Sequence, residues 1–374
     1  MRSFDVVVIG LGAMGSASLY SIAKRGLRVL GVERYEPGHP RSSSFGESRL
    51  IRLAYAEGRE YVALVREAYN RWEELERAAG EEVMIRTGMI EAGYPGSTHV
   101  RDALLSCDQE DLPVEHLTAA AANAQYPAFN LPADWDVIFQ PKAGVLLPEK
   151  AIRLFVAGAQ AHGAHVRLQT RVVAVEPIGD KVQIVLEGGE RLEAGSAVVS
   201  AGAWIGDLLP DVAADLNLTR QPLMWFQPIK PELVQRDRMP AFFFETPGGL
   251  FYGLPDICGT GVKVALHGSG GDLSSAEETR AEVSQAEFAQ LHAMLCRYVP
   301  AAAGALLNTS VCIYTRAPND RFVVGLHPTA PQLVIASACS GHGFKFASVM
   351  GEILADLAIE RKVDPRMKPF EPRA

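Results

Sequence analysis

The first forty positions alternate between apolar runs and a helical pattern. FDVVVIG (residues 4–10) is almost entirely apolar, as expected of a buried parallel strand. LGAMG then predicts a tight turn, SASLYSIAKRG a helix that ends at Gly26, and LRVLGVER a second strand. The pattern therefore predicts a strand, a turn, a helix and another strand at the start of the chain.

Three glycines in this turn have the spacing of a dinucleotide-binding loop. Gly10, Gly12 and Gly15 fill the GxGxxG positions, which serve the turn, the approach of a pyrophosphate and close helix packing. Glu33 ends the second strand, 18 residues after Gly15, where a carboxylate can accept hydrogen bonds from a ribose. Glycine-rich turns of unrelated α/β proteins are the alternative, and the loop alone does not separate NAD from FAD.

The middle of the chain shows helical and strand patterns in turn. A long amphipathic helix is predicted at about residues 59–79, and a second helix at 151–161. Arg49 and Arg52 precede the first helix, either as solvated residues or as an anion site. HVRLQTRVVAVEPI, KVQIVLE and RLEAGSAVVSAGAW predict strands that return to the first sheet.

Residues 221–316 predict a second, mostly antiparallel unit. QPLMWFQPI, AFFFETPGGLFYGLP and GVKVALHG are strand patterns separated by turns, and a helical segment follows at about 276–298. Lys263 and His267 are four residues apart and so lie on the same side of a strand. SVCIYTRAPNDRFVVGLHP and QLVIASACS then resemble a strand pair that leads into the loop from Gly341 to Lys345, where glycines before a helix predict an anion or dipole site.

Composition limits the function classes. The 374 residues are 48% hydrophobic and 21% charged, enough for two domains, and the net charge of −8 argues against a nucleic-acid surface. The five cysteines form no CxxC pair, which favours a reducing, cytoplasmic setting without disulfides or zinc. The uncharged stretch 6–23 could be mistaken for a membrane span, but its glycines favour the nucleotide loop. No HExxH, GxSxG or GxxxxGK[ST] motif occurs.

Several separated motifs, in order, carry a family resemblance over nearly the whole chain. They are GLGAMGSA, ESRLIRLAYAEGREYV, FYGLP followed by Lys263 and His267, VCIYT, and SGHGFKFASVMGE. Together they resemble the monomeric sarcosine oxidase and N-methyl-L-tryptophan oxidase family, within the D-amino-acid-oxidase-like flavoproteins. The resemblance implies an α/β (α+β) fold, with a Rossmann-like FAD-binding domain (residues 1–85, 145–220 and 317–374) and a mainly antiparallel substrate domain (86–144 and 221–316).

The resemblance also implies that FAD is the cofactor. From the residues alone, Cys312 reads as a buried structural cysteine, but the family pattern makes it the residue joined through sulfur to the flavin. Residues that the resemblance places around FAD are Gly10, Gly12, Ala13, Met14, Gly15, Glu33, Arg34, Ser42, Ser48, Arg49, Val172, Gly202, Trp204, Cys312, Gly341, His342, Gly343, Phe344 and Lys345.

Family members oxidise a small secondary amine that carries a carboxylate, with O2 as acceptor, and release formaldehyde and hydrogen peroxide. Arg52 and Lys345 match the carboxylate clamp of the family, and Phe243 and Gly341 belong to the same substrate site. The residues implied in catalysis are Lys263, on the oxygen side of the flavin, Arg49, His267, Tyr252, which also contacts substrate, and Tyr314. Relatives are mostly monomers.

Some positions depart from the family pattern. Ser44 and Phe45 stand where relatives often have two histidines, and Phe243 stands where the small-substrate enzyme has methionine. The SGHGFKFASVMGE block resembles the N-methyltryptophan enzyme, so a bulkier N-methyl amino acid is indicated. The alternatives are an oxidase of fructosyl amino acids or of cyclic imino acids, an NAD-dependent dehydrogenase, and a non-catalytic binding module.

Overall fold

The computed structural model describes residues 3–55, 58, 60–278 and 282–373. The α-helices among them are α1 (Ala13–Lys24), α2 (Glu60–Ala79), α3 (Thr98–Glu110), α4 (Ala119–Gln125), α5 (Pro148–Ala161), α6 (Ile205–Leu208), α7 (Pro210–Ala213), α8 (Gln285–Tyr298) and α9 (Ala347–Glu360). The strands are β1 (Ser3–Ile9), β2 (Val29–Val32), β3 (Arg49–Ile51), β4 (Met84–Ile85), β5 (Met89–Gly93), β6 (Glu115–Thr118), β7 (Asp136–Gln140), β8 (Gly144–Leu146), β9 (His165–Arg167), β10 (Val172–Ile178), β11 (Lys181–Leu186), β12 (Arg191–Val199), β13 (Asn217–Phe226), β14 (Ala241–Thr246), β15 (Gly249–Leu254), β16 (Val262–Leu266), β17 (Asp272–Leu273), β18 (Leu306–Arg316), β19 (Val323–Leu326) and β20 (Leu333–Ser337).

The first large sheet has the order β10-β11-β12-β1-β2-β9, with β20 beside β12 and β19 beside β20. Strand β1 is parallel to β12 and β2, which confirms the predicted strand, turn, helix and strand. Helix α1 connects β1 to β2 and packs against α9. The two helices approach so closely that a Cβ atom on Gly351 would stand 2.7 Å from the Ala17 carbonyl oxygen. Because α1 and α9 pack together against this sheet, the N-terminal and C-terminal parts of the chain lie in the same helical layer.

The second large sheet has the order β17-β13-β16-β15-β14-β5-β7-β6, and β18 also pairs with β13. Its pairs are antiparallel except for β14 with β5, so it matches the predicted mainly antiparallel unit. Phenylalanines of β14 and β15 fill its core together with the inner face of α8. Strands β3, β8 and β4 form a third, small sheet. The domain boundaries at residues 85, 145, 220 and 317 stay a prediction.

The structure corrects two element boundaries. SVCIYTRAPNDRFVVGLHP belongs to two sheets, because β18 pairs with β13 in the second sheet and β19 pairs with β20 in the first. The turn between them holds Asn319 and Asp320 at positive φ, which redirects the chain. Helix α8 begins at Gln285, with Ser284 as its N-cap and Glu287 in its first turn completing a capping box, and not at residue 276. Residues 279–281 lie outside the described part of the chain.

Helix α2 begins at Glu60, and Arg59, where the pattern placed its start, lies outside the described residues. Among the residues that the structure describes, no helix combines the length and the apolar character that crossing a bilayer requires. The uncharged stretch near the N-terminus is instead divided between β1 and α1.

Candidate functional site

One large cavity runs between the two large sheets. Its lining includes Ile9 and Val32 of the first sheet and Tyr252, Lys263 and Cys312 of the second. The cavity therefore suits a longer ligand that reaches from one sheet to the other.

The glycine loop forms one end of this cavity. Gly10 has φ +85°, and a Cβ atom on Gly15 would stand 1.8 Å from the Gly10 carbonyl oxygen, so both glycines are needed for the turn itself. A Cβ on Gly12 would meet no described atom within 4 Å, because Gly12 lines the cavity. Helix α1 begins directly after Gly12 and has no side-chain cap among the described residues. Its first N–H groups can therefore bind a pyrophosphate.

Glu33 lies beside this loop at the end of β2. Its Oε2 accepts a hydrogen bond from the Leu11 N–H at 2.7 Å, and its Oε1 accepts one from the Tyr35 N–H at 2.9 Å. Burial raises the pKa of this carboxyl. Nearby, His39 Nδ1 and Ser42 Oγ are buried against the cavity with no hydrogen-bond partner in the described chain. Such atoms call for a polar ligand, and the ribose and adenine of a dinucleotide supply donors and acceptors.

Cys312 and Arg49 meet in the middle of the cavity. The Cys312 thiol is buried on β18 and donates to the Phe45 carbonyl oxygen at 3.2 Å. The Arg49 guanidinium donates to the same carbonyl oxygen at 2.7 Å and lies 3.5 Å from the sulfur. The Arg49 guanidinium thus places a positive charge next to the Cys312 sulfur.

Lys263 lies close to this pair, on β16, and is only 2% exposed. Its Nζ donates to the carbonyl oxygens of Gly46 and Ser48, each at 2.7 Å. Glu149 holds the same loop from the other side, because its Oε1 accepts from the N–H groups of Gly46 and Glu47. Burial, followed by the charge of Arg49, brings the pKa of Lys263 well below its usual value.

Two buried cations lie at the far end. The Arg52 Nε donates to the Ala54 carbonyl oxygen at 3.2 Å, and the Lys345 Nζ donates to the Tyr55 hydroxyl at 3.0 Å and to the His342 carbonyl oxygen at 2.7 Å. Both side chains line the same cavity and both approach the Tyr55 ring, at 5.3 Å and 5.0 Å from its centre. Two converging cations in a water-poor site can bind a carboxylate.

Aromatic rings surround the space next to these cations. The Tyr314 hydroxyl lies 3.4 Å from His267 Nδ1, and the Tyr252 ring stacks on the Phe243 ring at 6.0 Å. Burial raises the pKa of both tyrosines, so their hydroxyls stay protonated at neutral pH. Gly341 has φ +79°, and a Cβ atom there would stand 2.7 Å from the Tyr314 ring. Only glycine fits at this point of the loop.

The rest of that loop is fixed by the protein itself. His342 is bonded through Nδ1 to the Tyr55 hydroxyl and through Nε2 to the Asp320 carbonyl oxygen, at 2.8 Å and 2.9 Å. A Cβ atom on Gly343 would stand 1.8 Å from the Ala338 carbonyl oxygen. A short 3₁₀ turn, Phe344–Phe346, then leads into α9. The loop therefore presents a rigid backbone surface to the cavity.

The cavity brings together all but one of the residues that the sequence singled out, although their individual roles stay predictions. Gly15 is the exception, since it is used within the turn. The residues that line the cavity are Gly10, Gly12, Ala13, Met14, Glu33, Arg34, Ser42, Ser48, Arg49, Arg52, Val172, Gly202, Trp204, Phe243, Tyr252, Lys263, His267, Cys312, Tyr314, Gly341, His342, Gly343, Phe344 and Lys345.

Sequence reasoning missed a polar group directly behind the cavity. Glu91 is fully buried on β5, accepts from His99 Nε2 at 2.7 Å and from Gln140, and lies 3.7 Å from Arg52 Nε. The available signal was a lone carboxylate inside the apolar strand MIEAG. A charge in such a run has a partner when it is buried.

Residues 5–357 match the family model described as DAO, FAD dependent oxidoreductase. The chain belongs to this family. It is 35% identical to a monomeric sarcosine oxidase of Bacillus sp. (strain B-0618), over 98% of this chain and 95% of that protein. It is 33% identical to the N-methyl-L-tryptophan oxidase of Escherichia coli (strain K12), over 98% of both. The family resemblance stated from the motifs is thereby confirmed.

Solved structures show the same fold. NikD, an amino acid oxidase essential for nikkomycin biosynthesis, superposes with a TM-score of 0.89 at 23% identity, over 100% of this chain and 98% of that one. Glycine oxidase from Geobacillus kaustophilus gives a TM-score of 0.84 at 19% identity, over 100% and 99%. Membership of the family makes the chain an FAD-dependent oxidoreductase. The start of α1 without a side-chain cap, and the His39 and Ser42 atoms without a partner among the described residues, fit FAD at the glycine end.

Proposed function

We propose that this protein oxidises secondary amines that carry a carboxylate, namely N-methyl amino acids, with O2 as acceptor. The products are the demethylated amino acid, formaldehyde and hydrogen peroxide. The observation that carries the proposal is the placement of Arg52 and Lys345 on the same cavity as Cys312 and Lys263. The names of the relatives, sarcosine oxidase and N-methyl-L-tryptophan oxidase, support the substrate class.

The two ends of the chain together hold the cofactor in this proposal. The turn from Gly10 to Gly15 and Glu33 bind the adenosine half, and the loop from Gly341 to Lys345 lies against the flavin ring. Cys312 is the site of covalent attachment, supported by its burial and by the Arg49 guanidinium 3.5 Å away. When bound, FAD takes a hydride equivalent from the C–H next to the substrate nitrogen and passes the electrons to oxygen.

Arg52 and Lys345 bind and orient the substrate carboxylate. The planar guanidinium of Arg52 can pair with both carboxylate oxygens, whereas Lys345 adds a point charge that Tyr55 and His342 hold in place. Burial of both cations strengthens their attraction for the anion, because little water screens it. Holding the carboxylate at a fixed point places the amine end at a fixed distance from it.

The aromatic residues surround the amine end of the bound substrate. Tyr252, Tyr314 and His267 line the cavity, and their rings exclude water from the carbon that is oxidised. The protonated hydroxyls of the two tyrosines hydrogen-bond each other, and a hydroxyl of this pair can turn to the substrate nitrogen. Substrates react as the neutral amine in this arrangement, because its lone pair is then free to accept such a hydrogen bond.

Lys263 acts in the half-reaction in which oxygen reoxidises the flavin. Its Nζ is fixed by two carbonyl oxygens, so a positive charge can be held in one place while negative charge develops on oxygen. The lowered pKa also makes its proton easier to transfer to reduced oxygen. Arg49 maintains a second positive charge next to it.

The test is an assay of the purified protein with a panel of N-methyl amino acids, measuring peroxide and formaldehyde together. Equal amounts of the two products support N-methyl oxidation. Peroxide without formaldehyde, from fructosyl amino acids or cyclic imino acids, would assign the protein to those substrates instead. In acid, the yellow colour should precipitate with the wild type but remain in solution with Cys312→Ser. Gel filtration tests the monomer that the name of the Bacillus relative suggests.

A further inference from the structure

The wall of the substrate cavity is supported by a stack of three rings. Phe243 lines the cavity on β14 and is in register with Tyr252 of β15, where the two rings lie 6.0 Å apart and within 13° of parallel. His99, which does not line the cavity, stacks on Phe243 at 4.6 Å and 26°. Contacts with both His99 and Tyr252 therefore fix the position of the Phe243 ring.

His99 is itself held at two points. Its Nε2 hydrogen-bonds the Glu91 carboxylate at 2.7 Å, and its backbone N–H donates to Glu245 at 2.8 Å. Glu91 is the register partner of Phe243 across the β5 and β14 pair, so the anchor of His99 lies next to the residue that His99 supports. Only 9% of the imidazole is exposed. A side chain held in this way has little freedom to move aside.

Glu91, which anchors His99, also lies close to Arg52. Glu91 lies 3.7 Å from Arg52 Nε, and Gln140, which donates to Glu91, accepts from the Ala54 N–H at 3.0 Å. The Arg52 guanidinium in turn lies 5.3 Å from the Phe243 ring. The cation that orients the substrate and the ring that bounds its side chain are therefore fixed by one buried group.

We propose that His99, held by Glu91, is a positioning residue that sets how large a substrate side chain the cavity accepts. It does so by fixing the Phe243 ring against Tyr252. This inference rests on the proposed function. Without the imidazole, Phe243 can retract into the vacated space, because large-to-small changes in a packed region are only partly refilled. The cavity then widens next to Arg52, which favours bulky substrates and loosens the contacts of small ones.

The test compares kcat/KM for N-methyl-L-phenylalanine with that for sarcosine in each variant. The ratio is independent of the amount of active enzyme, so a general loss of stability does not change it. In His99→Ala the ratio should rise about tenfold, as expected for a change of one or two carbon groups in a pocket. In His99→Gln, whose amide can still donate to Glu91, the rise should be smaller but measurable.

The matched control is His116→Ala, since His116 is an exposed histidine on β6 of the same sheet, and its ratio should equal that of the wild type. Phe243→Ala, which changes the wall directly, should shift the ratio in the same direction as His99→Ala. If His99→Ala does not fold, His99→Gln carries the comparison, because it keeps the buried carboxylate partnered.

An unchanged ratio in a folded His99 variant, together with a shifted ratio in Phe243→Ala, would overturn this inference and leave the proposed function intact. Absence of turnover with every N-methyl amino acid of the panel in the wild type would overturn the proposed function, and the inference with it.

Discussion

The cavity has two ends that are built in different ways. The glycine end contains the turn at Gly10 and Gly12, and the amine end is the part lined by Arg52, Lys263 and Lys345, where the amine substrate is proposed to bind. At the glycine end, Gly10, Gly12 and Glu33 come from 24 consecutive residues, and the first N–H groups of α1 have no side-chain cap among the described residues. At the amine end, Arg52, Lys263 and Lys345 come from different parts of the chain and act through side chains. A local turn can therefore recognise a cofactor common to many proteins, whereas substrate chemistry requires long-range assembly of charges.

The sharpest way to separate the two regions is to change Lys263. In Lys263→Met, oxygen reoxidation of the flavin should slow about 100- to 1,000-fold, because a fixed charge near the developing anion is lost. Anaerobic flavin reduction by substrate should change far less. Stopped-flow measurement of the two half-reactions checks this. Slow reduction with normal reoxidation would instead place Lys263 in substrate binding.

Arg52→Met should affect only the amine end. Loss of one of two buried cations that bind a carboxylate costs about 2–5 kcal/mol, so kcat/KM should fall at least about thirtyfold. The flavin content should equal that of the wild type, because Arg52 is not part of the glycine end. Arg238→Met, at an exposed arginine, is the matched control and should leave both quantities unchanged. Loss of flavin in Arg52→Met would contradict the separation of the two regions.

Two glycine substitutions should divide the other end into its structural and binding parts. Gly15→Ala places a methyl group 1.8 Å from a backbone oxygen, so the free energy of unfolding should fall by about 2 kcal/mol or more. Gly12→Ala meets no described atom within 4 Å, so the flavin-free protein should keep its melting temperature but bind less FAD. Thermal unfolding and flavin content measure both effects. Equal destabilisation by the two substitutions would contradict this division.

The smallest expected effect is a pH dependence of the oxygen step. In the proposed mechanism the ammonium form of Lys263 is the active form, and the pKa of Lys263 lies well below the usual value because of burial and Arg49. The rate constant for reoxidation should therefore be highest at low pH and fall as the pH rises through this lowered pKa. The rate constant for reoxidation is measured as a function of pH in the wild type and in Lys263→Met. If Lys263 causes the pH dependence, the dependence should be absent from the variant.

The sequence predicted the glycine end well because its determinants are local. The apolar run, the GxGxxG spacing and Glu33 all act within one β-α-β unit, and the structure confirms each element. The amine end became visible only through the family resemblance, since no local pattern connects Arg52 with Lys345. Cys312 in particular has no sequence signal of its own, because its surroundings come from the loop around Phe45.

The features that the sequence did not reveal depend on the placement of strands and on the backbone conformation of turns. The pairing of Glu91 with His99 depends on the way α3 follows β5, which no periodicity indicates. The sequence pattern places SVCIYTRAPNDRFVVGLHP and QLVIASACS in one strand pair. The positive φ angles of Asn319 and Asp320 instead send the chain to the other sheet.

The most direct test of a single cavity shared by cofactor and substrate is an anaerobic titration of the purified yellow protein with sarcosine or another N-methyl amino acid. Flavin absorbance and formaldehyde are measured in the same sample. We expect complete bleaching of the flavin, with one formaldehyde formed for each flavin reduced, and no bleaching with the corresponding N-methyl amine that lacks a carboxylate. A flavin that stays oxidised with every N-methyl amino acid, or bleaches without formaldehyde, would contradict the proposed function.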